Sequence, residues 1–298
     1  MRHEALLYAG EEGFLAATLP FLREGLAGGE PTLVVVEVPK IDRLRCALGP
    51  DADAVAFADM ADVGDNPARI IPAWQEFVDA HPGRAVRGIG EPVGPERAGA
   101  ELVECHRHEE LLNLAFEDGP EFTLLCPYDT TALEVEVVAD AHRTHPLVRL
   151  EDTVAESGLY APPEPVCSTP LEPPAGPITE LAFNGASLRE LRRFVAAVGE
   201  AAGLSGTRLS DLVLATSEVA ANSVLYGGGR GVLAAWHTAE RVLCEVRDTG
   251  RIEDALAGRR RPSLAGQGAY GLWLANQLCD LVQIRPGVVR LHLRLGDA

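Results

Sequence analysis

Over the first 150 residues the apolar positions come as short unbroken runs separated by stretches with helical spacing. Residues 32–38 (TLVVVEV) form a near-continuous β-branched run, the pattern of a strand covered on both faces of a parallel sheet. Residues 5–8, 54–58, 85–90 and 122–126 predict further short strands. Between them, residues 11–26, 70–80, 99–116 and 131–144 predict helices; in the first, Phe14, Leu15, Leu19, Leu22 and Leu26 form one stripe that Gly28-Gly29 ends. Such alternation predicts a three-layer α/β domain. Ligands of these sheets sit beyond the strand C-termini, which places Glu37, Gly90, Glu91, Pro127, Tyr128 and Asp129 near a pocket.

The pattern then breaks. Residues 161–177 (APPEPVCSTPLEPPAGP) carry seven prolines in 17 positions, which neither continue a helix nor enter a sheet. This predicts a semi-rigid extended linker, able to reach roughly 50 Å, between a domain at 1–160 and a second at 178–298. In the second, residues 187–203 read as a helix with Leu188, Leu191, Phe194, Val195 and Val198 on one stripe, Ser187 as N-cap and Glu190 at its third position. Residues 231–237 and 241–247 read as a hairpin, and 281–285 with 288–295 as another turned by Pro286-Gly287. Helices grouped against an antiparallel sheet predict an α+β sandwich.

Residues 209–226 form the most informative stretch. Leu209, Leu212, Val213, Thr216, Val219, Ala220 and Val224 define a helical stripe that Gly227-Gly228-Gly229 stops, and Glu218 and Asn222 lie four apart on one face. Alone, Glu-x-x-x-Asn recurs by chance and reads as a solvated pair. In a site, the carboxylate suits proton acceptance or water orientation, and the amide oxygen suits hydrated Mg²⁺. Three further pieces accompany it. Asp248-Thr249-Gly250 ends a hairpin strand, where a glycine admits a flat ligand and the carboxylate accepts from an exocyclic amine. Gly266-Gln267-Gly268-Ala269-Tyr270-Gly271 opens an apolar helix, presenting bare N–H groups to phosphate. Residues 251–264, with Arg259-Arg260-Arg261, are long enough to act as a lid.

Composition narrows the partners. At 298 residues, 47% hydrophobic and 23% charged, the chain is globular, and its net charge of −18 argues against nucleic acid or an anionic membrane as a direct partner. Lys40 is the single lysine against 25 arginines, so no Walker A loop exists. No run approaches the ~20 apolar residues of a membrane span, and the acidic start predicts no secretory signal. Six scattered cysteines without a C-x-x-C pair predict reduced thiols in a cytosolic protein. The cluster Cys105-His106-Arg107-His108-Glu109 invites a metal test: Cys105 shares a helix face with His108 and Glu109, but a closed site needs two more ligands from a distant segment and no second spaced pair is visible. A half-exposed polar helix face is the expectation there, and His3 is expected to be a packed or hydrogen-bonded residue.

The first segment resembles the MEDS sensory domain, an α/β module related to RecA- and KaiC-like folds. The resemblance rests on His3-Glu4-Ala5-Leu6-Leu7-Tyr8, on Gly25-Leu26 and Gly29-Glu30 before the valine strand, and on LLCPYD ending at Asp129. It implies a sensing role. The order Glu-x-x-x-Asn, Asp-x-Gly, Gly-x-Gly-x-x-Gly resembles the Bergerat (GHKL) ATP-binding fold, and within it the RsbW-like anti-sigma factor serine kinases; the pairing of modules resembles RsbA-family regulators. That resemblance implies ATP and Mg²⁺ as cofactors, with Glu218 as base or water-orienter, Asn222 on Mg²⁺, Asp248 beside Gly250 reading adenine, and Gly266, Gly268 and Gly271 contacting phosphates. It further implies a cytoplasmic regulator of a sigma factor that phosphorylates a STAS-type anti-sigma antagonist, and a homodimer through the C-terminal sheet. Three positions depart from the family: Ile252 replaces the second glycine of Asp-x-Gly-x-Gly, Tyr226-Gly227 stands for His-Gly, and Gly287-Val288-Val289 lacks a threonine that often assists adenine binding. These departures bear on phosphoryl transfer more than on ATP binding, and they keep a non-catalytic binding switch open as the alternative.

Overall fold

Strand and helix alternate from the first residues, as the apolar spacing predicts. The computed structural model describes residues 1–150, 153–262 and 270–296. It divides into two units, Met1–Pro163 and Glu164–Ala298. The first runs β1 (Arg2–Tyr8), α1 (Gly10–Ala27), β2 (Thr32–Val36), α2 (Val38–Leu48), β3 (Val55–Asp59), α3 (Met60–Gly64), α4 (Ile70–Asp79), β4 (Val86–Gly90), α5 (Gly99–Ala115), β5 (Phe122–Asp129), α6 (Val135–Thr144), β6 (Leu147–Leu150) and β7 (Thr153–Glu156). Its sheet has the order β3-β2-β4-β5-β1-β6-β7, parallel throughout except for the β6–β7 pair. Parallel neighbours need crossover connections, which the helices supply. Val34, Val35 and Val36 are buried, as an unbroken β-branched run in a two-sided sheet should be.

Two features of this unit depart from the expectation. α2 begins at Val38-Pro39, and proline in a first helical turn starts a helix, since its missing N–H has no intrahelical partner there in any case. In α5, Glu104, Cys105, Arg107, His108 and Glu109 are all buried, so the half-exposed polar face does not exist. The strand C-termini are closely tied. Tyr8 Oη donates to Glu91 Oε1 at 2.7 Å and Lys40 Nζ donates to Glu91 Oε2 at 2.6 Å, while burial pushes the Glu91 carboxyl above its ordinary value. Asp129 Oδ1 accepts from the Gly10 and Thr131 N–H groups at 3.1 and 2.9 Å. Tyr128, expected near the pocket, is fully enclosed.

The second unit comprises β8 (Thr179–Asn184), α7 (Leu188–Ala201), α8 (Gly206–Tyr226), β9 (Arg230–His237), β10 (Arg241–Arg247), α9 (Tyr270–Leu278), β11 (Leu281–Arg285) and β12 (Val288–Arg294). The sheet is antiparallel in the order β11-β12-β10-β9-β8. Period-2 alternation sends Leu233, Ala235, Val242, Cys244, Val246, Leu291 and Leu293 into one core with Leu191, Val195, Leu212, Val219 and Ala275 of the helices. On the opposite face, Ala234, Trp236 and Leu243 cluster. There Arg290 lies over the Trp236 ring at 5.1 Å and donates to Glu245 Oε2 from Nε at 2.7 Å. Part of the proline-rich segment is tied to this unit by its backbone: Arg285 Nε donates to the Thr169 carbonyl at 2.6 Å and Arg290 Nη1 to the Glu172 carbonyl at 2.8 Å. Ser187 is the residue before α7, but its side chain makes no cap bond to the helix; its Oγ donates to the Asn184 carbonyl and accepts from the Asn184 N–H instead. Among the described residues, no helix is long and apolar enough to cross a membrane.

His292 gives this unit a pH dependence. It is buried on the second face of the sheet, 3.0 Å from Gln283 Oε1. Burial first, then the nearby Arg241 and Arg290 charges, lower its pKa from 6.5 to about 3. Above pH 6.5 neither the folded nor the unfolded chain holds the proton, and the contribution is complete. As pH falls from 6.5 towards 3, the unfolded chain takes up a proton that the folded chain refuses, so stability declines. Between pH 7 and 5 this single group removes on the order of 2 kcal/mol, at up to about 1.4 kcal/mol per pH unit. Denaturant titrations at the two pH values should reveal that loss, and His292→Leu should flatten it; an equal slope in the variant would assign the acid sensitivity elsewhere.

Candidate functional site

The end of α8, the end of β10 and the β11–β12 turn converge on one carboxylate. Gly227 caps α8, its N–H bonding the Ser223 carbonyl at 2.8 Å, and Gly228 and Gly229 follow at φ of 93° and 82°. That left-handed pair stops the helix, for which non-glycine residues are strained. Thr249 then reaches back, donating to the Gly227 carbonyl from its N–H at 3.3 Å and from Oγ1 at 3.1 Å. Asp248 N–H donates to the Gly287 carbonyl at 3.0 Å, and Asp248 Oδ1 accepts from the Gly250 N–H at 2.7 Å.

Glycine is required by close approach as well as by backbone angle. A Cβ on Gly227 would sit 2.5 Å from the Asp248 carboxyl carbon, one on Gly250 would sit 2.9 Å from Asp248 Oδ1, and one on Gly287 (φ 68°) would sit 2.8 Å from the Asp248 carbonyl oxygen. Gly227 and Gly250 therefore let main chain close around the carboxylate, and Gly287 lets the β11–β12 turn close on the Asp248 main chain. Beside it opens a cleft of about 190 Å³, whose walls include Val219, Asn222, Asp248, Ile252, Leu272 and Val289. This is smaller than the roughly 300–1,000 Å³ of a pocket that encloses a whole ligand. A mainly apolar lining with one carboxylate, and with Asn222, Ser223 and Arg251 as its other polar members, can take a flat heteroaromatic ring bearing an amine donor.

The expected residues fall into four groups. Asn222, Asp248 and Gly250 line the cleft together. Gly271, in the first turn of α9, faces Asn222 so closely that a Cβ there would lie 2.7 Å from Asn222 Nδ2, so α8 and the start of α9 meet at the amide. Glu218 is half-buried one turn before Asn222 and is not among the residues lining the cleft. Gly266 and Gly268 lie outside the described residues. The departures take part in the walls: Ile252, Tyr226, Val288 and Val289 all line the cleft, so the absent glycine and threonine are replaced by apolar surface. Of the three lid arginines, Arg259 is buried while Arg260 and Arg261 are exposed. Gly258 beside them is held by Asn276 Nδ2, which donates to its carbonyl at 3.0 Å.

Sequence reasoning missed Gly287 as a site residue. Its signal was the Pro-Gly turn, read only as a hairpin connection; its carbonyl fixes the Asp248 backbone.

The second unit thus packs helices on one face of an antiparallel sheet beside a cleft lined by Asp248, and in sequence it follows the parallel-sheet unit. Two family comparisons give the particulars. Residues 2–146 match the MEDS family (MEthanogen/methylotroph, DcmR Sensory domain), and residues 181–295 match the histidine kinase-like ATPase domain. The chain thus joins a MEDS sensory domain to a histidine kinase-like ATPase domain, the two-module architecture that the sequence resemblance implies. No curated protein matches the chain closely enough to count as a relative.

Proposed function

We propose that the chain is a cytoplasmic anti-sigma regulator whose C-terminal domain binds Mg·ATP, holds a sigma factor, and phosphorylates a serine or threonine of a STAS-type antagonist. The observation that carries the reading is that Asp248 and Asn222 line one cleft while Gly271 packs against Asn222, three sequence-distant pieces of a single motif order. Asp248 accepts from the amine edge of the base, with Gly250 keeping main chain close to the ring. Asn222 offers its amide oxygen to Mg²⁺, and the N–H groups at the start of α9 face phosphate oxygens. Bound Mg·ATP supplies the phosphoryl group, and Glu218 takes the proton from the acceptor hydroxyl or orients it. The antiparallel sheet with helices on one face supports the Bergerat reading of this domain. In the N-terminal sheet β4 and β5 stand between β1 and β2, which supports a RecA- or KaiC-like reading there. A homodimer through the C-terminal sheet is part of the same proposal.

A second reading has its own support. Glu218 does not line the cleft and Ile252 replaces a glycine beside it, which favours a nucleotide-dependent switch that sequesters its partner without transferring phosphate. A melting curve of the full chain with and without Mg·ATP tests what both share: at 100 times Kd the nucleotide should stabilise the fold by about 2.7 kcal/mol, and an unmoved midpoint at millimolar nucleotide would remove both. A pull-down from native cytosol with and without ATP then names the partner, and labelled ATP with that partner separates transfer from sequestration.

A further inference from the structure

Four side chains from four different elements of the N-terminal unit meet in a closed interior site. His3 stands on β1, Glu109 on α5, Cys126 on β5, and His145 directly after α6. All four are at 0–1% exposure, and one ligand atom of each lies within 4.8 Å of every other. In the parallel β1–β5 pair, His3 is opposite Leu124 and Ala5 opposite Cys126, which puts His3 and Cys126 on the same face of neighbouring strands.

The hydrogen bonds around this group settle where its lone pairs point. Asn113 Nδ2 donates to the Thr144 carbonyl at 2.9 Å, which fixes the amide and turns Oδ1 towards His3 Nδ1 at 3.1 Å. His145 Nδ1 lies 2.9 Å from the Ala141 carbonyl, an acceptor only, and 2.9 Å from Thr144 Oγ1, whose own proton is directed at the Asp140 and Ala141 carbonyls. Both rings therefore carry their proton on Nδ1, and both Nε2 lone pairs face inward. There they meet Glu109 Oε2 at 3.1 Å and 3.3 Å, and His3 Nε2 is also 3.3 Å from Cys126 Sγ. Three acceptors face one another across the centre, with the Cys126 S–H as the one weak donor among them, and Glu109 Oε1 and His145 Nε2 have no hydrogen-bond partner of their own. A cation between its members would satisfy all of these lone pairs at once.

We propose that His3 Nε2, Glu109, Cys126 Sγ and His145 Nε2 form a tetrahedral site for a divalent transition metal, Zn²⁺ in the first instance. Two imidazoles, a carboxylate and a thiolate are a zinc donor set, and bonds of about 2.0–2.3 Å place ligand atoms about 3.3–3.8 Å apart. The closest pairs here, at 3.1–3.3 Å, stand at or just below the short end of that spacing, and every pair is within 4.8 Å. On binding, the Cys126 S–H bond gives its proton to solvent and the sulfur bonds the metal. The 2+ ion with carboxylate and thiolate then forms a neutral unit, which an enclosed interior accepts. Asn113 and the Ala141 carbonyl are the outer partners that orient the two rings. Four protein ligands leave no open position, so the ion ties β1, α5, β5 and the end of α6 together. The sequence contained this site only as scattered single residues. Of the cluster on α5, Glu109 alone joins it, while Cys105 Sγ turns away to the Pro92 carbonyl at 3.3 Å.

The test uses the full chain purified without chelator. Elemental analysis should find one Zn²⁺ per chain. Because the site is enclosed, the chain is also unfolded with chelator and refolded with Co²⁺, which should give the thiolate-to-cobalt charge-transfer band and the intense visible bands of tetrahedral Co²⁺. Cys126→Ser should lose the charge-transfer band and Cys105→Ser should keep it; the reverse pattern would place the metal elsewhere. Glu109→Gln should bind Zn²⁺ more weakly by at least tenfold. If that variant does not fold, the wild-type measurements still decide. A wild-type chain that carries only traces of metal and refolds with Co²⁺ present to a colourless native state would overturn the proposal in favour of a proton-bridged cluster.

Discussion

Asp248→Asn is expected to remove most of the stabilisation of the chain by Mg·ATP while leaving its fold intact. The substitution is isosteric, and the oxygen that accepts from the Gly250 N–H at 2.7 Å is retained. What changes is the second carboxylate oxygen, which becomes an NH₂ group in the cleft. An amine donor of a base then meets a donor in place of an acceptor, and a hydrogen bond to a charged group is lost as well. Those two effects together weaken binding about 100-fold, the consequence of losing 1.5–3 kcal/mol from a charge-assisted bond. At a concentration that is 100 times the wild-type Kd, the stabilisation should drop from about 2.7 to about 0.4 kcal/mol. A differential scan with and without nucleotide measures it. An unchanged rise in the variant would show that Asp248 does not read the base.

Glu218→Ala is expected to separate binding from chemistry. Because Glu218 is outside the cleft lining, its removal should leave nucleotide affinity as it is. Phosphoryl transfer to the antagonist should fall by about 10²–10⁴, the contribution of a positioned general base. Labelled ATP with the captured partner gives the rate, and a nucleotide titration gives the affinity. Loss of transfer with affinity retained assigns the proton-accepting role to Glu218. Transfer at the wild-type rate would move that role to another group, and no transfer by the wild-type chain itself would leave the sequestering switch as the function.

Much of this architecture could be read from apolar spacing because the two strongest patterns are two-sided burial and helical stripes. The valine run at 34–36 and the helices around Leu191 and Leu212 are legible for that reason. The edges are not. β6, β7 and β8 are short and half-exposed, so their residues alternate weakly and only pairing with a neighbour defines them. α5 misleads in the opposite direction: it buries two glutamates, an arginine and a histidine, so polarity no longer marks its solvent face. The cleft beside Asp248 was legible because Asn222, Asp248 and Gly250 come in local motifs on a helix and at a strand end. The four-residue cluster in the N-terminal sheet was not, because positions 3, 109, 126 and 145 have no spacing rule in common. Only the parallel register of β1 on β5, and the packing of α5 and α6, brings them together.

The grip of Arg285 and Arg290 on the Thr169 and Glu172 carbonyls has an implication for how this chain tolerates change. Both arginines hold main-chain oxygens, so the attachment is blind to which side chains the segment carries. Proline serves well there, since it keeps the carbonyl acceptor, removes the competing N–H and holds the strand extended. Residue identities at 169 and 172 can drift freely, whereas deleting a single residue between them would shift one oxygen by about 3 Å and leave its guanidinium unmatched. In this stretch it is the metre of the chain that is constrained, and not its vocabulary.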